Sequence, residues 1–220
     1  QSPLPLSPSW PSNRFHGIVT HPDDDSALGS IRIVSSASLA VSGKFELQGQ
    51  SIPFSGKLVT ARSSQTSSLS TVTQADGRTF TVSLTFDPVS LRVTGKLQAT
   101  DSAWNVLAES LAVASIPRQI HAVMHSSKTQ EGILTASVSK SSDVAFVGKT
   151  SSGTILSSTS GVCSNSHIPM FIPIAKTPVS IGGWCQISAD GSSLQGTLHR
   201  VSDRFTKTEG ADRISLEKAK

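Results

Sequence analysis

The chain of 220 residues is long enough for one large core or for two domains of about 100 residues each. Hydrophobic residues make up 36% of it and charged residues 15%, which excludes the strongly charged, apolar-poor composition of a disordered protein. The formal net charge is +4, but the basic residues are scattered singly and aromatic residues are scarce, so the composition disfavours nucleic-acid binding.

Residues 1–13 contain four prolines and predict an extended arm, in which Trp10 is available to contact a neighbouring subunit. After the arm we place a first β domain at 14–113 and a second at 114–203. A charged tail follows at 204–220. The sequence holds no apolar stretch long enough to predict a membrane-spanning helix.

Short runs in which apolar and polar residues alternate begin directly after the arm, and turn signals separate them. Alternation of this kind is typical of strands with one buried face. The sequence Ala75-Asp76-Gly77-Arg78 between two such runs predicts a tight hairpin. The strands predicted for the first half are Phe15–His21, Ser30–Ser36, Leu39–Leu47, Ser51–Thr60, Ser68–Gln74, Thr79–Phe86, Leu91–Ala99 and Trp104–Leu111.

The second half continues in the same pattern, and Asp190-Gly191 predicts its last hairpin. Pro169, Pro173 and Pro178 lie in or beside one run and indicate an edge or irregular strand. For the charged tail a short helix, a last strand and disorder all stay open. The strands predicted for this half are Ile120–Ser126, Ile133–Ser139, Val144–Lys149, Thr154–Val162, Pro169–Ile174, Ile181–Ser188 and Leu194–Val201.

The chain also repeats itself once, at a spacing of about 103 residues. The segment SIRIVSSASLAVSGK after Gly29 corresponds to ILTASVSKSSDVAFVGK after Gly132. The many short strands and the repeat together predict an all-β protein of two tandem, related antiparallel domains, each a barrel or a sandwich. The glycines that recur are paired as Gly29/Gly132, Gly43/Gly148, Gly49/Gly153 and Gly95/Gly196.

Short glycine-based motifs carry a resemblance to a known family. They are Phe15-His16-Gly17-Ile18, the strand from Gly29 to Val34, Ser42-Gly43-Lys44-Phe45, Val93-Thr94-Gly95-Lys96-Leu97, Trp104, the proline-flanked strand Ile168 to Pro173, Gly183-Trp184 and Leu194-Gln195-Gly196-Thr197-Leu198. The pattern resembles a domain found in tandem near the C-termini of large secreted and surface proteins of some bacteria, and covers about residues 15–200. The resemblance implies a non-catalytic accessory or surface-assembly module.

Cys163 and Cys185 are the only cysteines and lie 22 positions apart. In an exported protein an even number of cysteines indicates pairing, so we expect a disulfide between them. The alternative is a pair of buried free thiols. A structural zinc site is disfavoured because neither cysteine has a partner at Cys-x-x-Cys spacing.

The segment His21-Pro22-Asp23-Asp24-Asp25 is similar to the His-Pro-Asp-Asp-Glu motif of zinc-dependent de-N-acetylases. In those enzymes a histidine and an aspartate bind zinc; here His121 or His125 could add a third ligand and leave an open position for water. That motif sits in an α/β fold before a helix, whereas here a β pattern follows. The context therefore favours a polar turn. Asp23, Asp24 and Asp25 are also a weak candidate for calcium binding.

Trp10, Trp104 and Trp184 are the residues that favour a binding function. An exposed indole on a β surface stacks on the apolar face of a sugar ring, and it can equally contact a protein partner. The alternative is that Trp104 and Trp184 fill the cores of their domains.

The sequence as a whole favours a secreted, non-enzymatic structural or adhesive component of a cell surface or extracellular assembly. Its expected partners are copies of itself or other surface proteins, and an anionic polysaccharide is a further candidate. The alternatives are a carbohydrate-binding module and the zinc-dependent hydrolase. The chain begins at Gln1 and is rich in serine and threonine, which we expect of a mature exported protein without its signal peptide.

Overall fold

The computed structural model describes residues 13–23, 26–47, 49–60, 66–113, 115–126, 129–174, 177, 179–201 and 212–219. Throughout this part of the chain the regular secondary structure is β-strand, and seventeen strands form two antiparallel sheets. The predicted all-β fold with two related domains is confirmed. The arm 1–12 with Trp10, and also Asp24, Asp25 and Pro178, lie outside the described residues.

The first nine strands form one sheet. They are β1 (Asn13–Thr20), β2 (Ala27–Ser35), β3 (Ala40–Leu47), β4 (Gln50–Lys57), β5 (Val59–Thr60), β6 (Ser67–Ala75), β7 (Arg78–Asp87), β8 (Arg92–Ala99) and β9 (Ser102–Ser110). Their order in the sheet is β4-β3-β2-β1-β9-β8-β7-β6-β5, so neighbours in sequence pair and β1 joins β9. The sheet curls into a nearly closed up-and-down barrel, with β4 against β6.

The last eight strands form the second sheet. They are β10 (Arg118–Ser126), β11 (Thr129–Val138), β12 (Asp143–Thr150), β13 (Ile155–Gly161), β14 (His167–Pro173), β15 (Ser180–Ile187), β16 (Leu194–Val201) and β17 (Asp212–Lys218). The order β13-β12-β11-β10-β17-β16-β15-β14 again pairs the first strand with the last and brings β13 against β14. Of the alternatives for the charged tail, the last strand is the one present: β17 joins β10 to β16.

Inward-facing side chains fill a separate core in each barrel. Trp104 is the largest fully buried residue of the first core and lies beside Phe80, with 6.5 Å between ring centroids. Phe15 and Phe86 meet there edge to face at 5.8 Å. The second core contains smaller aliphatic side chains around Phe146. Strand alternation explains both cores, because every second residue of a barrel strand points inward.

The two barrels have equivalent strands in the same order, which confirms the internal repeat. The turns after β2 and β11 are alike in detail. Leu39 and Ser142 occupy the left-handed region with φ of 64° and 65°, and their amides donate to the carbonyls of Ser36 and Ser139. Leu39 and Ser142 are separated by about 103 residues, the spacing of the sequence repeat, and so are Ser36 and Ser139.

The strand register changes one of the four glycine pairings. Gly29 and Gly132 hold the same place on β2 and β11, but Gly43 and Gly148 differ by two positions. The inward positions of β3 read glycine then phenylalanine, and those of β12 read phenylalanine then glycine. The predicted equivalence of Gly43 and Gly148 is therefore wrong. Each strand has one phenylalanine and one glycine facing inward, but Gly43 corresponds to Phe146, and Phe45 corresponds to Gly148. The ring of Phe54 fills the gap over Gly43.

Gly95 on β8 and Gly196 on β16 allow neighbouring strands to approach closely. A Cβ at Gly95 would lie 2.0 Å from the carbonyl oxygen of Ser83, and one at Gly196 would lie 2.5 Å from that of Trp184. Contacts this short with backbone atoms cannot be relieved by a rotamer change. The repeat thus preserves glycine at a place in the barrel wall where neighbouring strands lie too close for a side chain.

Each barrel closes at a seam where hydroxyl groups replace the backbone ladder. In the first barrel Thr73 Oγ1 donates to the carbonyl of Pro53 at 2.6 Å, and in the second Ser160 Oγ donates to the carbonyl of Pro169 at 2.5 Å. Proline has no amide hydrogen with which to continue a ladder. Pro169 and Pro173 therefore mark β14 as an irregular strand at the seam, as predicted.

Alanine at Gly95 or at Gly196 is expected to lower the free energy of unfolding by about 1–3 kcal/mol, because the added methyl group overpacks the barrel wall. Gly56→Ala is the control, since its nearest neighbour is the flexible end of the Leu69 side chain. Urea unfolding followed by circular dichroism measures all three variants. If the Gly95 and Gly196 variants were as stable as the Gly56 variant, close strand approach would not explain why both barrels have glycine at this position.

Candidate functional site: the junction between the barrels

An outward-facing polar row crosses five adjacent strands of the first barrel. The register aligns, from β8 through β9, β1 and β2 to β3, the residues Arg92, Glu109, His16, Arg32 and Lys44. The second barrel lies against this polar row, so Glu109 and His16 are buried although they point away from the core of their own barrel. The junction between the barrels is therefore polar.

The carboxylate of Glu109 receives partners from both barrels and is 2% exposed. Arg92 of β8 donates to Glu109 Oε1 through Nε at 3.1 Å and Nη2 at 2.8 Å. His167 of β14 donates from Nδ1 to Oε2 at 3.1 Å. A buried carboxylate is tolerated only when its charge and lone pairs are compensated. Docking of the second barrel thus both buries this charge and supplies part of its compensation.

Apolar contacts complete the junction. The Cβ of Ala27 lies over Gly182, where a side chain on the glycine would clash at 2.9 Å. Leu111 covers Gly161 in the same way, and it forms an isolated bridge with Cys163. Small residues on the second barrel therefore let the two walls approach closely.

A groove of about 540 Å³ runs along the junction. One wall carries Arg14 and Arg32 of the first barrel, and the other carries the hydroxyl groups of Ser137, Ser139 and Thr159. A further hollow of about 340 Å³ shares Arg32 and Thr159 and extends the groove. Guanidinium groups facing hydroxyl groups can bind carboxylate or sulfate groups of an acidic polymer.

Both arginines also tie the barrels together across this groove. Arg14 Nη1 lies 3.1 Å from Asp143 Oδ1, and its Nη2 donates to the carbonyl of Ser141 at 2.9 Å. Arg32 Nη2 donates to the carbonyl of Thr159 at 2.8 Å and to its hydroxyl at 2.5 Å. Asp143 has a pKa below its usual value, chiefly because the Ser141 hydroxyl donates to it. These bonds hold the groove walls in place.

His16 lies in the polar row, between Glu109 and Arg32. Burial lowers its pKa to about 4, and the positive charges of Arg32 and Arg14 add to the effect. The imidazole is therefore neutral at neutral pH.

The predicted disulfide between Cys163 and Cys185 is not present, and both residues are buried free thiols. Cys163 faces the first barrel, with Sγ 3.7 Å from the carbonyl oxygen of Glu109 and 3.9 Å from that of His16. Cys185 instead faces the core of the second barrel. Burial raises the pKa of both thiols, that of Cys185 to about 12, so neither is a thiolate at neutral pH.

The tryptophans predicted to contact a ligand differ in position. Trp104 is 1% exposed in the first core and cannot reach a ligand. Trp184 points outward from β15, half-buried beside His167, with 6.1 Å between the ring centroids. Its indole Nε1 is buried and has no hydrogen-bond partner among the described residues. Trp184 is therefore the tryptophan with a place in a candidate binding site.

In the segment that is similar to a zinc motif, Pro22 and Asp23 form a turn after β1. The amide of Asp23 donates to Nδ1 of His21 at 3.2 Å. His121 lies on β10 with Nδ1 3.0 Å from the Thr135 hydroxyl, and His125 lies 3.9 Å from Glu217. Within the described residues no three histidine, cysteine, aspartate or glutamate side chains form a metal-binding group. Asp24 and Asp25, the other proposed zinc and calcium ligands, lie outside those residues.

Comparison of the chain with protein-family models, curated proteins and solved structures finds no match. Among the described residues no helix is long and apolar enough to cross a membrane.

Sequence reasoning missed the pair of Glu109 and His167. A signal was present, because Glu109 is the only charged residue in the run VLAESLAVA. A lone carboxylate in an apolar strand indicates a buried, compensated charge. The partner could not be predicted, since His167 lies 58 residues away on the other barrel.

Glu109→Gln is expected to lower the free energy of unfolding by about 1–3 kcal/mol, because it removes the charge of a buried carboxylate that accepts bonds from Arg92 and His167, and so weakens the contact between the barrels. Glu46→Gln is the control and should cost less than about 1 kcal/mol, because its pair with Lys44 is exposed. Urea unfolding at neutral pH measures both. A Glu109 effect as small as that of Glu46 would refute a role for this carboxylate in joining the barrels.

Protonation of His16 should lower the free energy of unfolding of the protein as the pH falls. The unfolded chain takes up a proton near the ordinary pKa of 6.5, whereas native His16 does so only at about 4. The native state therefore loses up to about 3 kcal/mol as the pH falls between these values. His16→Gln should remove this part of the pH dependence. Unfolding free energies of both proteins at about pH 7 and about pH 4 test it, and parallel losses would contradict it.

Proposed function

We propose that this protein is a secreted, non-enzymatic structural or adhesive component of a cell surface or extracellular assembly. Two barrels joined by a hydrogen bond to a buried carboxylate and by close apolar packing suit a structural component. The resemblance of its motifs to a tandem domain of bacterial surface proteins supports the same function. The proposal depends above all on an exposed apolar surface of the second barrel.

This apolar patch consists of Ile133, Val147 and Ile155, on the outer faces of β11, β12 and β13. Their exposed fractions are 56%, 58% and 64%. Ile133 and Ile155 both lie opposite Lys149, and Val147 lies diagonally between them. Three exposed β-branched side chains on adjacent strands surround Lys149, and such a cluster of exposed apolar side chains is typical of an interaction site.

The first barrel has polar residues at the equivalent positions. The register places Ser30 where the second barrel has Ile133, Lys44 where it has Val147, and Ser51 where it has Ile155. The apolar patch is therefore no property of the fold itself. It distinguishes the second barrel, and an interaction surface accounts for it.

Val147→Lys is expected to weaken retention of the protein on the insoluble envelope of the cells that secrete it, by at least about tenfold. The substitution adds a second charge to the patch, beside that of Lys149, and docking would have to desolvate it. Val89→Lys is the matched control, because Val89 is 76% exposed in the turn between β7 and β8, away from the patch. The proposal would be contradicted if the wild-type protein were not retained on the envelope, or if neither variant changed its retention.

Carbohydrate binding is the second candidate function, and one hollow of about 240 Å³ favours it. Trp184, His167, Gln186 and Gln195 line this hollow, which combines an aromatic ring with side-chain amides. In the same retention experiment Trp184→Ala would then lose binding while Val147→Lys would keep it. Release by a soluble acidic polysaccharide would further assign the cationic groove to the same function.

A further inference from the structure

Within the chain the two barrels meet through two different surfaces. The first barrel contributes the outer side of β1–β3, here called the row face, with Arg32 and Lys44. The second contributes the outer side of β13 and β14, here called the seam face, with Thr159 and Phe171. Arg32 bonds Thr159, and Phe171 is buried beside the same hollow as Lys44.

Because the fold is duplicated, the second barrel has a row face of its own. Its line of equivalent residues across β10, β11 and β12 is His121, Thr135 and Val147. Thr135 stands in the place of Arg32, and Val147 in the place of Lys44. Nothing in the described part of the chain covers this face, which contains Ile133 and Val147 of the apolar patch, while Ile155 lies beside it on β13.

The first barrel likewise has a seam face of its own. The register places Ser55 of β4 in the position of Thr159, and Val72 of β6 in the position of Phe171. Phe171 is 5% exposed because the first barrel covers it, whereas Val72 is 64% exposed. Each chain therefore carries one joined pair of these faces and one open pair.

We propose that a second copy of this chain docks its open seam face, around Val72, onto the open row face around Val147. This inference deepens the proposed function, on which it rests, by naming the partner. The contact repeats between copies the arrangement that already joins the two barrels within one chain. Since the two faces differ, the contact is heterologous and joins copies head to tail. The result is an open filament, or a closed ring where the rotation between copies allows closure.

The chemistry of the open faces agrees with a reversible contact between copies. The row face within the chain is cationic at Arg32 and Lys44, and Arg32 bonds polar groups of Thr159 on the other barrel. The open one has a hydroxyl and an apolar side chain at those places, so docking buries no ion pair. Association between copies is therefore mainly hydrophobic and should be strengthened, not screened, by sulfate salts.

Light scattering and analytical ultracentrifugation of the full chain test the proposal. The mass of the wild-type protein should rise with concentration, while Val147→Lys and Val72→Lys should each be monomeric. A mixture of these two variants should form dimers and stop there, because it has one intact pair of faces. Val89→Lys should associate like the wild type, and circular dichroism should show that all variants are folded.

Three outcomes would overturn the proposal. A wild-type protein that stays monomeric at its solubility limit has no such contact. If Val147→Lys abolishes association but Val72→Lys does not, the contact is instead a symmetric one between two apolar patches. A monomeric protein that is still retained on the cell envelope through Val147 would leave the proposed function standing with another partner.

Discussion

The carboxylate of Glu109 is the interaction on which the arrangement of the two barrels depends. It lies on the outer side of the first barrel, where water would solvate it if the second barrel were absent. Docking removes that water, and Arg92 and His167 take its place. Such a pair is weak evidence for added stability, but it penalises docking orientations that bury Glu109 without a donor in the place of His167, because one carboxylate oxygen would then lose its partner.

Closure of each barrel rests on a different constraint, the supply of backbone hydrogen bonds at a seam. A small barrel needs strong curvature, and glycines such as Gly95 and Gly196 provide it by letting strands approach. Where proline ends the ladder, a hydroxyl donates to the carbonyl that remains, as Thr73 and Ser160 do. Some of the serine and threonine hydroxyl groups of the chain therefore have a structural role at the seams.

Duplication followed by divergence explains how one fold carries two kinds of surface. Arg32 and Thr135 hold equivalent places, as do Lys44 and Val147, yet the first of each pair faces the other barrel and the second faces solvent. The cores tolerate similar exchange, since Phe45 and Gly148 occupy the same position. What is kept is the strand order and the turns, because these determine closure.

The sequence by itself determined the strands, the turns and the repeat, because alternation and turn chemistry act between neighbouring residues. Asp76 and Gly77 adopt the positive φ angles that their hairpin predicts. Only the tertiary structure decided which outward side chains are covered. Cys163 faces the first barrel, whereas Cys185, its predicted disulfide partner, faces the core of the second barrel. Trp184 faces outward, whereas Trp104 fills the core of the first barrel. These outcomes depend on strand register and on how two barrels dock, and no local pattern in the sequence encodes either.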